Sequence, residues 1–187
     1  MVYIIGVAGS LRRMPYNMGL LKAAVELMPK EVTFEIKKIN AIPLFNSDNE
    51  EVHGPPAAVI ELKEAIMAAD GVILATPEYN NGIPGVFKNA IDWASRPVAD
   101  IPKVFGGRPF AVMGASPGGF GTLLSQDAWL SVLRMLGTEP WFGGRLLVSH
   151  AGQLFDEKGD LIDEGMRERL REYIYGFVSF VKEHNRL

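Results

Sequence analysis

The sequence predicts an α/β fold in which one parallel sheet carries helices on both faces. Short apolar runs and amphipathic segments alternate about five times along the chain, the pattern of repeated strand–helix units. The apolar runs are mostly continuous, as expected for strands that are buried on both faces. Polar loops follow three of these runs, where the carboxyl ends of parallel strands bind ligands.

Each strand is predicted from its own pattern. Residues 2–8 form a continuous apolar run, whereas residues 32–39 alternate between apolar and polar side chains and indicate a half-exposed strand near an edge. The remaining strands are expected at residues 71–76, 109–115 and 146–149. Five strands in a chain of 187 residues suit a flavodoxin-like three-layer sandwich with the order 2-1-3-4-5, and we expect residues 1–187 to form one domain.

The helices are predicted from apolar side chains at helical spacing and from their end signals. Pro29 ends the first helix and Gly137 is suited to cap the fourth. The predicted helices cover residues 17–28, 57–69, 86–95, 122–136 and 163–184. Residues 40–56 and 96–107 contain prolines, glycines and acids without periodicity, and we expect both to be irregular.

Composition excludes several kinds of site. The formal net charge is −3 without a basic cluster, which argues against nucleic acid, and no apolar run has the length of a membrane span. We therefore expect a soluble cytoplasmic protein. The absence of cysteine excludes disulfides, thiolate metal sites and cysteine nucleophiles. His53, His150 and His184 lie far apart without metal-binding spacing, so no metal is expected.

Loop 1, residues 9–17, follows the first predicted strand and is suited to an anion. It offers the Ser10 hydroxyl, the guanidinium groups of Arg12 and Arg13, the Asn17 amide and a helix N-terminus. It lacks the glycine patterns that allow a pyrophosphate to approach the backbone, so a mononucleotide with one phosphate fits better. The alternative is an ordinary turn with solvent-facing arginines.

Loop 2, residues 76–85, follows the third predicted strand and contains two prolines, two glycines and two asparagines. Pro77 and Pro84 would stiffen it, while Tyr79 and Asn80 could supply polar contacts to the edge of a flat heteroaromatic ring. A plain strand-to-helix turn is the alternative. Because the first and third strands flank the predicted switch point, loops 1 and 2 should face one crevice.

Loop 3, residues 114–122, follows the fourth predicted strand, and its four glycines would let a bulky group pack against the backbone. The alternative is a flexible turn. Its start also matches the G-x-S-x-G pattern of α/β-hydrolases, with Ser116 as nucleophile. That interpretation would take a base and an acid from His150, His184, Asp127 and Asp156. Pro117 argues against it, because this residue would have to donate a backbone N–H to the oxyanion.

At these residues the chain resembles the NADPH-dependent FMN reductase family, in particular its chromate- and quinone-reductase branch. The run from Pro77-Glu78-Tyr79-Asn80 through Ile83-Pro84-Gly85 to Lys88-Asn89-Ala90-Ile91-Asp92-Trp93 is highly specific. The other matching segments are Gly9-Ser10-Leu11-Arg12 with Asn17, Gly114-Ala115-Ser116-Pro117-Gly118-Gly119, and Phe155-Asp156-Glu157 with Gly159 and Leu161.

The resemblance implies bound FMN and two-electron, ping-pong reduction of quinones, chromate, azo compounds or free flavin by NADPH or NADH, with no obligatory catalytic side chain. It also implies a homodimer or homotetramer. A flavodoxin-type electron carrier, which binds FMN without its own NAD(P)H turnover, is the alternative. The residues expected to bind FMN are Ser10, Arg12, Tyr16 and Asn17 at the phosphate end, Pro77, Glu78, Tyr79 and Asn80 at the ring edge, and Ser116, Gly118 and Gly119 on the other side of the ring.

One position departs from the family pattern. The family usually has a serine two residues before the asparagine of loop 1, where this chain has Pro15. One hydrogen bond to the phosphate is lost, and Arg13 or a backbone amide is the candidate replacement. We therefore expect FMN to survive purification only partly.

Overall fold

Six parallel strands form one sheet in the computed structural model, which describes residues 1–13 and 15–185. The strands are β1 (Val2–Ala8), β2 (Val32–Lys38), β3 (Gly71–Ala75), β4 (Pro109–Ala115), β5 (Glu139–Pro140) and β6 (Leu146–Val148). Their order is β2-β1-β3-β4-β5, and β6 also pairs with β4. The predicted flavodoxin-like fold and strand order are confirmed.

The fifth place in the sheet differs from the prediction, because two short strands share it. β5 pairs with Pro109 and Phe110 at the start of β4, and β6 pairs with the segment from Met113 to Ala115 at its end. Sequence patterns identified only the second of these strands. A two-residue strand has no detectable period, and a proline in a strand is tolerated at a sheet edge, where its missing N–H is not needed.

Helices cover both faces of the sheet. They are α1 (Tyr16–Leu27), α2 (Ser47–His53), α3 (Ala57–Ala68), α4 (Gly85–Ala94), α5 (Ile101–Val104), α6 (Leu123–Met135) and α7 (Glu164–His184). Side chains from α1 and α7 pack in one apolar cluster with one face of the strands, and those from α3, α4 and α6 pack in a second cluster with the other face. Alternate residues of β1 and β3 enter the two clusters, which explains why these strands are apolar throughout.

The segment at residues 40–56, predicted to be irregular, contains the helix α2. The Asn46 side chain caps this helix by accepting a hydrogen bond from the backbone N–H of Asp48 at 2.8 Å. None of its residues is buried, so it shows no apolar periodicity in the sequence. The carbonyl of Pro43 accepts hydrogen bonds from Asn89 at 2.8 Å and Trp93 at 2.9 Å, which fix the preceding strand-to-helix connection against α4.

The connection at residues 96–107 is also more regular than predicted, because it contains α5 and a 3-10 turn at Val98–Asp100. Across residues 1–13 and 15–185, no helix is both long and apolar enough to cross a membrane. In the same part of the chain, no three His, Cys, Asp or Glu side chains come together as ligands for a metal ion.

Candidate functional site

The three loops predicted to share one ligand begin side by side at the carboxyl edge of the sheet. Strands β1, β3 and β4 are direct neighbours, and each loop continues the pairing of the strands by one backbone hydrogen bond. These bonds join Gly9 N to Ala75 O (3.0 Å), Thr76 N to Met113 O (2.8 Å) and Ser116 N to Val148 O (2.9 Å). The convergence expected from the strand order is therefore present, and it lies at the switch point where ligands bind in this kind of fold.

Loop 2 ends in a tight turn whose conformation explains its two asparagines. The backbone N–H groups of Tyr79 and Gly82 donate to each other's carbonyl oxygens at 3.1 and 3.0 Å. Asn80 and Asn81, between them, have φ values of 50° and 60°. Asparagine tolerates this left-handed region better than most residues. The turn therefore fixes the backbone that carries the exposed side chains of Tyr79 and Asn80 at the end of loop 2.

Glu78 ties loop 2 to α6. Its carboxylate accepts hydrogen bonds from the backbone N–H groups of Leu124 at 2.8 Å and Ser125 at 3.0 Å. Thr122, which precedes the helix, provides no side-chain cap, so Glu78 satisfies the helix N-terminus from another loop. Because the carboxylate is engaged there, a contact of Glu78 with the ring would come from its backbone.

A buried hydroxyl network lies next to the hydrogen bonds between Glu78 and α6. The Thr76 hydroxyl donates to the carbonyl of Pro77 at 2.8 Å and accepts from the indole N–H of Trp129 at 3.1 Å. It also lies 2.8 Å from the Ser125 hydroxyl. A hydroxyl has one proton, so Ser125 must be the donor in that contact. The network fixes the first peptide of loop 2 against α6, the helix that follows loop 3.

Loop 1 has a different construction. Ser10 is buried, and its hydroxyl accepts a hydrogen bond from the backbone N–H of Arg12 at 3.3 Å. Arg12 and Arg13 are exposed, and neither forms an ion pair with a residue that the structure describes. Pro15 precedes α1 without a side-chain cap, so the positive end of that helix faces this loop. The loop is thus suited to attract an anion.

Asn17 and Tyr16, both predicted to bind FMN, have protein partners. The buried Asn17 amide donates to the carbonyl of Ala115 and accepts from its N–H, both at 2.9 Å. This pair of bonds joins the start of α1 to the end of β4. The Tyr16 ring packs against Phe155, with ring centres 5.2 Å apart. A contact of Asn17 with a phosphate would therefore come from its backbone, whereas the packing of the Tyr16 ring does not engage its hydroxyl.

Loop 3 presents open backbone. A Cβ atom built on Gly118 would meet nothing within 3.9 Å, and one built on Gly119 nothing within 3.7 Å. Its backbone is held from the side by β6 and the residues after it: the N–H of His150 donates to Gly118 and that of Ala151 to Ser116, both at 3.1 Å. A flat group could therefore approach this loop closely.

Sequence reasoning missed several groups at the site. It did not predict the hydroxyl network of Thr76, Ser125 and Trp129, nor the position of His150 beside loop 3. These residues come from different elements, and only the fold brings them together. Thr76 alone could have been noted as a polar residue at the end of an otherwise apolar run.

The geometry argues against the hydrolase alternative for both candidate bases. His150 lies beside loop 3, where a Cβ atom on Gly119 would be 3.7 Å from its ring, but among the described residues its side chain forms no hydrogen bond with Ser116. Ser116 lies at the carboxyl edge of the sheet, whereas His184 lies at the opposite edge, beside the residues that precede β3 and β4. This histidine cannot serve as the base. Pro117 still lacks the N–H that an oxyanion site would need.

A separate cavity of about 590 Å³ lies between α6 and residues 140–145. Its walls are mostly apolar, and they include none of the residues predicted to bind FMN. The three loops combine cationic side chains, polar groups at the end of a rigid turn and open glycine backbone, and we propose them as the cofactor site. These features fit the phosphate, the ring edge and the ring face of a flavin mononucleotide.

Comparison with known proteins identifies the family of the chain. The family model described as NADPH-dependent FMN reductase matches residues 2–153. An NAD(P)H-dependent FMN reductase of Pseudomonas aeruginosa is 39% identical over 181 residues, which cover 97% of this chain and 96% of that protein. A 2-hydroxy-1,4-benzoquinone reductase of a Burkholderia species is 33% identical, with 95% of this chain and 94% of that protein covered.

A solved structure gives the same result. The flavoenzyme FerB of Paracoccus denitrificans, described as an NAD(P)H:(acceptor) oxidoreductase, superimposes with a TM-score of 0.86 at 31% identity. The match covers 98% of this chain and 99% of FerB. The chain therefore belongs to the NADPH-dependent FMN reductase family, and it is an oxidoreductase that uses FMN and a reduced nicotinamide coenzyme.

Proposed function

We propose that the protein transfers two electrons from NADPH or NADH to a quinone in two separate half-reactions. The coenzyme gives up one hydride, and the quinone takes up two electrons and two protons to become a hydroquinone, with the second proton from solvent. The observation that carries this proposal is the convergence of an anion-attracting loop, a rigid polar turn and an open glycine loop at one edge of the sheet.

In this proposal the chain binds and orients the cofactor. Ser10 and Arg12 hold the phosphate, and Arg13 or a backbone amide replaces the serine that Pro15 displaces. Tyr79 and Asn80, fixed by the turn of loop 2, contact the edge of the ring. FMN supplies the hydride chemistry when it is bound, and a preorganised polar surround of the ring stabilises the negative charge that arises on reduction.

Loop 3 completes the proposed site on the other side of the ring. Ser116 borders the ring, and the open backbone of Gly118 and Gly119 lets a flat molecule come close. No side chain has to act as nucleophile or as obligatory acid. Quinone is the acceptor favoured by the relatives, one of which is a 2-hydroxy-1,4-benzoquinone reductase. Chromate, azo compounds and free flavin remain predicted acceptors.

Direct turnover separates this function from that of a flavodoxin-type carrier. Such carriers usually dock through a strongly acidic face, and a net charge of −3 is small for that role. We expect the purified protein with FMN to oxidise NADPH steadily when a benzoquinone is added, without any partner reductase. Protein that holds FMN but shows no such oxidation would be a carrier.

We also propose that the protein is a cytoplasmic homodimer or homotetramer. A groove between α4 and α6 has apolar walls formed by residues such as Ile91, Ile101 and Val132, with charged side chains, among them Lys88 and Arg96, also in its lining. Val98 and Met135 on its border are 59% and 71% exposed, which favours burial against another copy of the chain. Light scattering coupled to gel filtration would give the mass, and a monomer at micromolar concentration would contradict the proposal.

A further inference from the structure

A cationic groove of about 730 Å³ lies beside loop 1, on the side of the sheet that carries α1. Three parts of the chain form it: loop 1 with the start of α1, the end of β2 and the turn at residues 156–160. Five cationic side chains lie in its walls: Arg12, Arg13, Lys22, Lys38 and Lys158. Arg12 was predicted to bind the FMN phosphate and Arg13 is a candidate to do so, but the three lysines were not, so the groove extends beyond the phosphate site.

The alternation of β2 brings one lysine into the groove. Phe34 and Ile36 pack toward α1 in the apolar cluster on that face of the sheet. Side chains two residues apart in a strand point to the same face, so Lys38 lies on the same face as Phe34 and Ile36, just beyond the apolar cluster. The position of this cation therefore follows from the strand.

A close contact between Gly19 and Gly159 positions a second lysine, Lys158, in the groove. A Cβ atom on Gly19 would lie 2.2 Å from the carbonyl oxygen of Gly159, so the turn and α1 can approach only because residue 19 has no side chain. Asp156 fixes the turn by accepting hydrogen bonds from the N–H groups of Lys158 and Asp160, both at 2.9 Å. Lys158 is thus held beside α1 by a preformed turn.

The positive charge of the groove is poorly balanced. Lys22 pairs with Asp160 at 3.4 Å, but both side chains are 52% exposed, and such pairs contribute little. The other four cations form no ion pair with any residue in the described part of the chain. The turn that carries Lys158 also contains Asp156, Glu157 and Asp160, but the walls of the groove hold five cationic side chains and, among the described residues, no acidic one, so the groove itself has an excess of positive charge. It is suited to an anion that carries more than one charge.

We propose that this groove binds the 2′-phosphate of NADPH and makes the protein prefer NADPH over NADH. The inference rests on the proposed function, in which the coenzyme meets FMN at the same edge of the sheet. The FMN phosphate would occupy Ser10 and Arg12 and leave Lys38, Lys158 and their neighbours for a second anion. The 2′-phosphate is the only chemical difference between the two coenzymes, and its negative charge is complementary to the lysines of the groove.

Calorimetric titration of the FMN-loaded protein tests the site without turnover. The two probes are adenosine 2′,5′-bisphosphate and 5′-AMP, which differ only in the 2′-phosphate. We expect the bisphosphate to bind about tenfold tighter or more, the size of one or two charge-assisted contacts. The double substitution Lys38→Gln with Lys158→Gln should remove most of this difference. Lys30→Gln is the matched control, because Lys30 lies beyond the other end of α1 and outside the groove.

Two results would overturn the inference: equal binding of the two nucleotides by the unaltered protein, or a preference that the double variant retains in full. Steady-state kinetics should agree, with a higher KM for NADPH in the double variant and an unchanged KM for NADH. Failure of the inference is distinguishable from failure of the proposed function. Equal KM values for both coenzymes would remove the groove's role and leave the reductase intact, whereas flavin that neither coenzyme reduces would contradict the reductase itself.

Discussion

Loop 2 uses its polar groups to bond other parts of the protein, whereas loop 1 leaves its charged side chains without protein partners. In loop 2, Thr76 and Glu78 together bond three residues of α6, and a double hydrogen bond closes the turn. In loop 1, Arg12 and Arg13 are exposed, and no described residue pairs with them in a salt bridge. The proposed ring end is thus built before any cofactor arrives, while the proposed phosphate end is completed by the anion.

This difference separates two measurable properties. Changes in loop 2 should lower the stability of the protein, because they remove bonds within it. Changes at Pro15 and at the exposed arginines of loop 1 should leave stability nearly unaltered and change the affinity for FMN. Single substitutions in the two loops can test that division.

Arg12→Ala should produce the largest effect, and it should appear in cofactor affinity. Loss of one charge-assisted contact with the phosphate costs about 1.5–3 kcal/mol, so the Kd for FMN should rise roughly tenfold to a hundredfold. Quenching of FMN fluorescence measures the Kd. Arg134→Ala, at the far end of α6, is the control and should bind FMN normally. If Arg12→Ala retained the original Kd, the phosphate would not lie at loop 1.

Thr76→Val should lower stability instead. The change keeps the shape of the side chain but leaves the buried N–H of Trp129 without its acceptor, at a cost of about 1–3 kcal/mol in the free energy of unfolding. Denaturant unfolding of the FMN-free protein measures this. Thr76→Ser retains the hydroxyl and should recover most of the loss. A variant as stable as the original protein would mean that the network contributes nothing to loop 2.

Glu78→Ala should cost about 1 kcal/mol, the usual value of a helix cap, because the N–H groups of Leu124 and Ser125 lose their acceptor. Glu78→Gln keeps one acceptor oxygen, so its free energy of unfolding should lie between those of the original protein and of the Ala variant. Denaturant unfolding of the FMN-free protein measures this free energy. If the Ala variant bound FMN much more weakly yet unfolded normally, Glu78 would act on the cofactor rather than on α6.

Pro15→Ser should have the smallest effect and the opposite sign. A serine hydroxyl before α1 restores the phosphate contact of the family pattern, so FMN should bind about threefold to tenfold tighter and remain more completely through purification. Pro15→Ala separates removal of the proline ring from the gain of the hydroxyl. Equal affinities for the Ser and Ala variants would show that the hydroxyl does not reach the phosphate.

The sequence predicted the sheet order and the meeting of the three loops, because both follow from the alternation of elements and from the handedness of parallel connections. It did not predict α2, whose exposed side chains carry no periodicity. Nor did it predict that Asn17 and Glu78 would use their side chains on Ala115 and on α6. Both bonds join residues far apart in the chain, and local patterns carry no information about such partners.

Anaerobic titration of the purified, FMN-loaded protein with NADPH, followed in the visible spectrum, is the decisive test of two-step electron transfer through FMN. We expect the flavin bands to bleach as one equivalent of NADPH is added. We also expect a benzoquinone added afterwards, without any partner protein, to restore them. Flavin bands that stay unchanged after NADPH, or bleached flavin that the quinone does not reoxidise, would contradict two-step transfer.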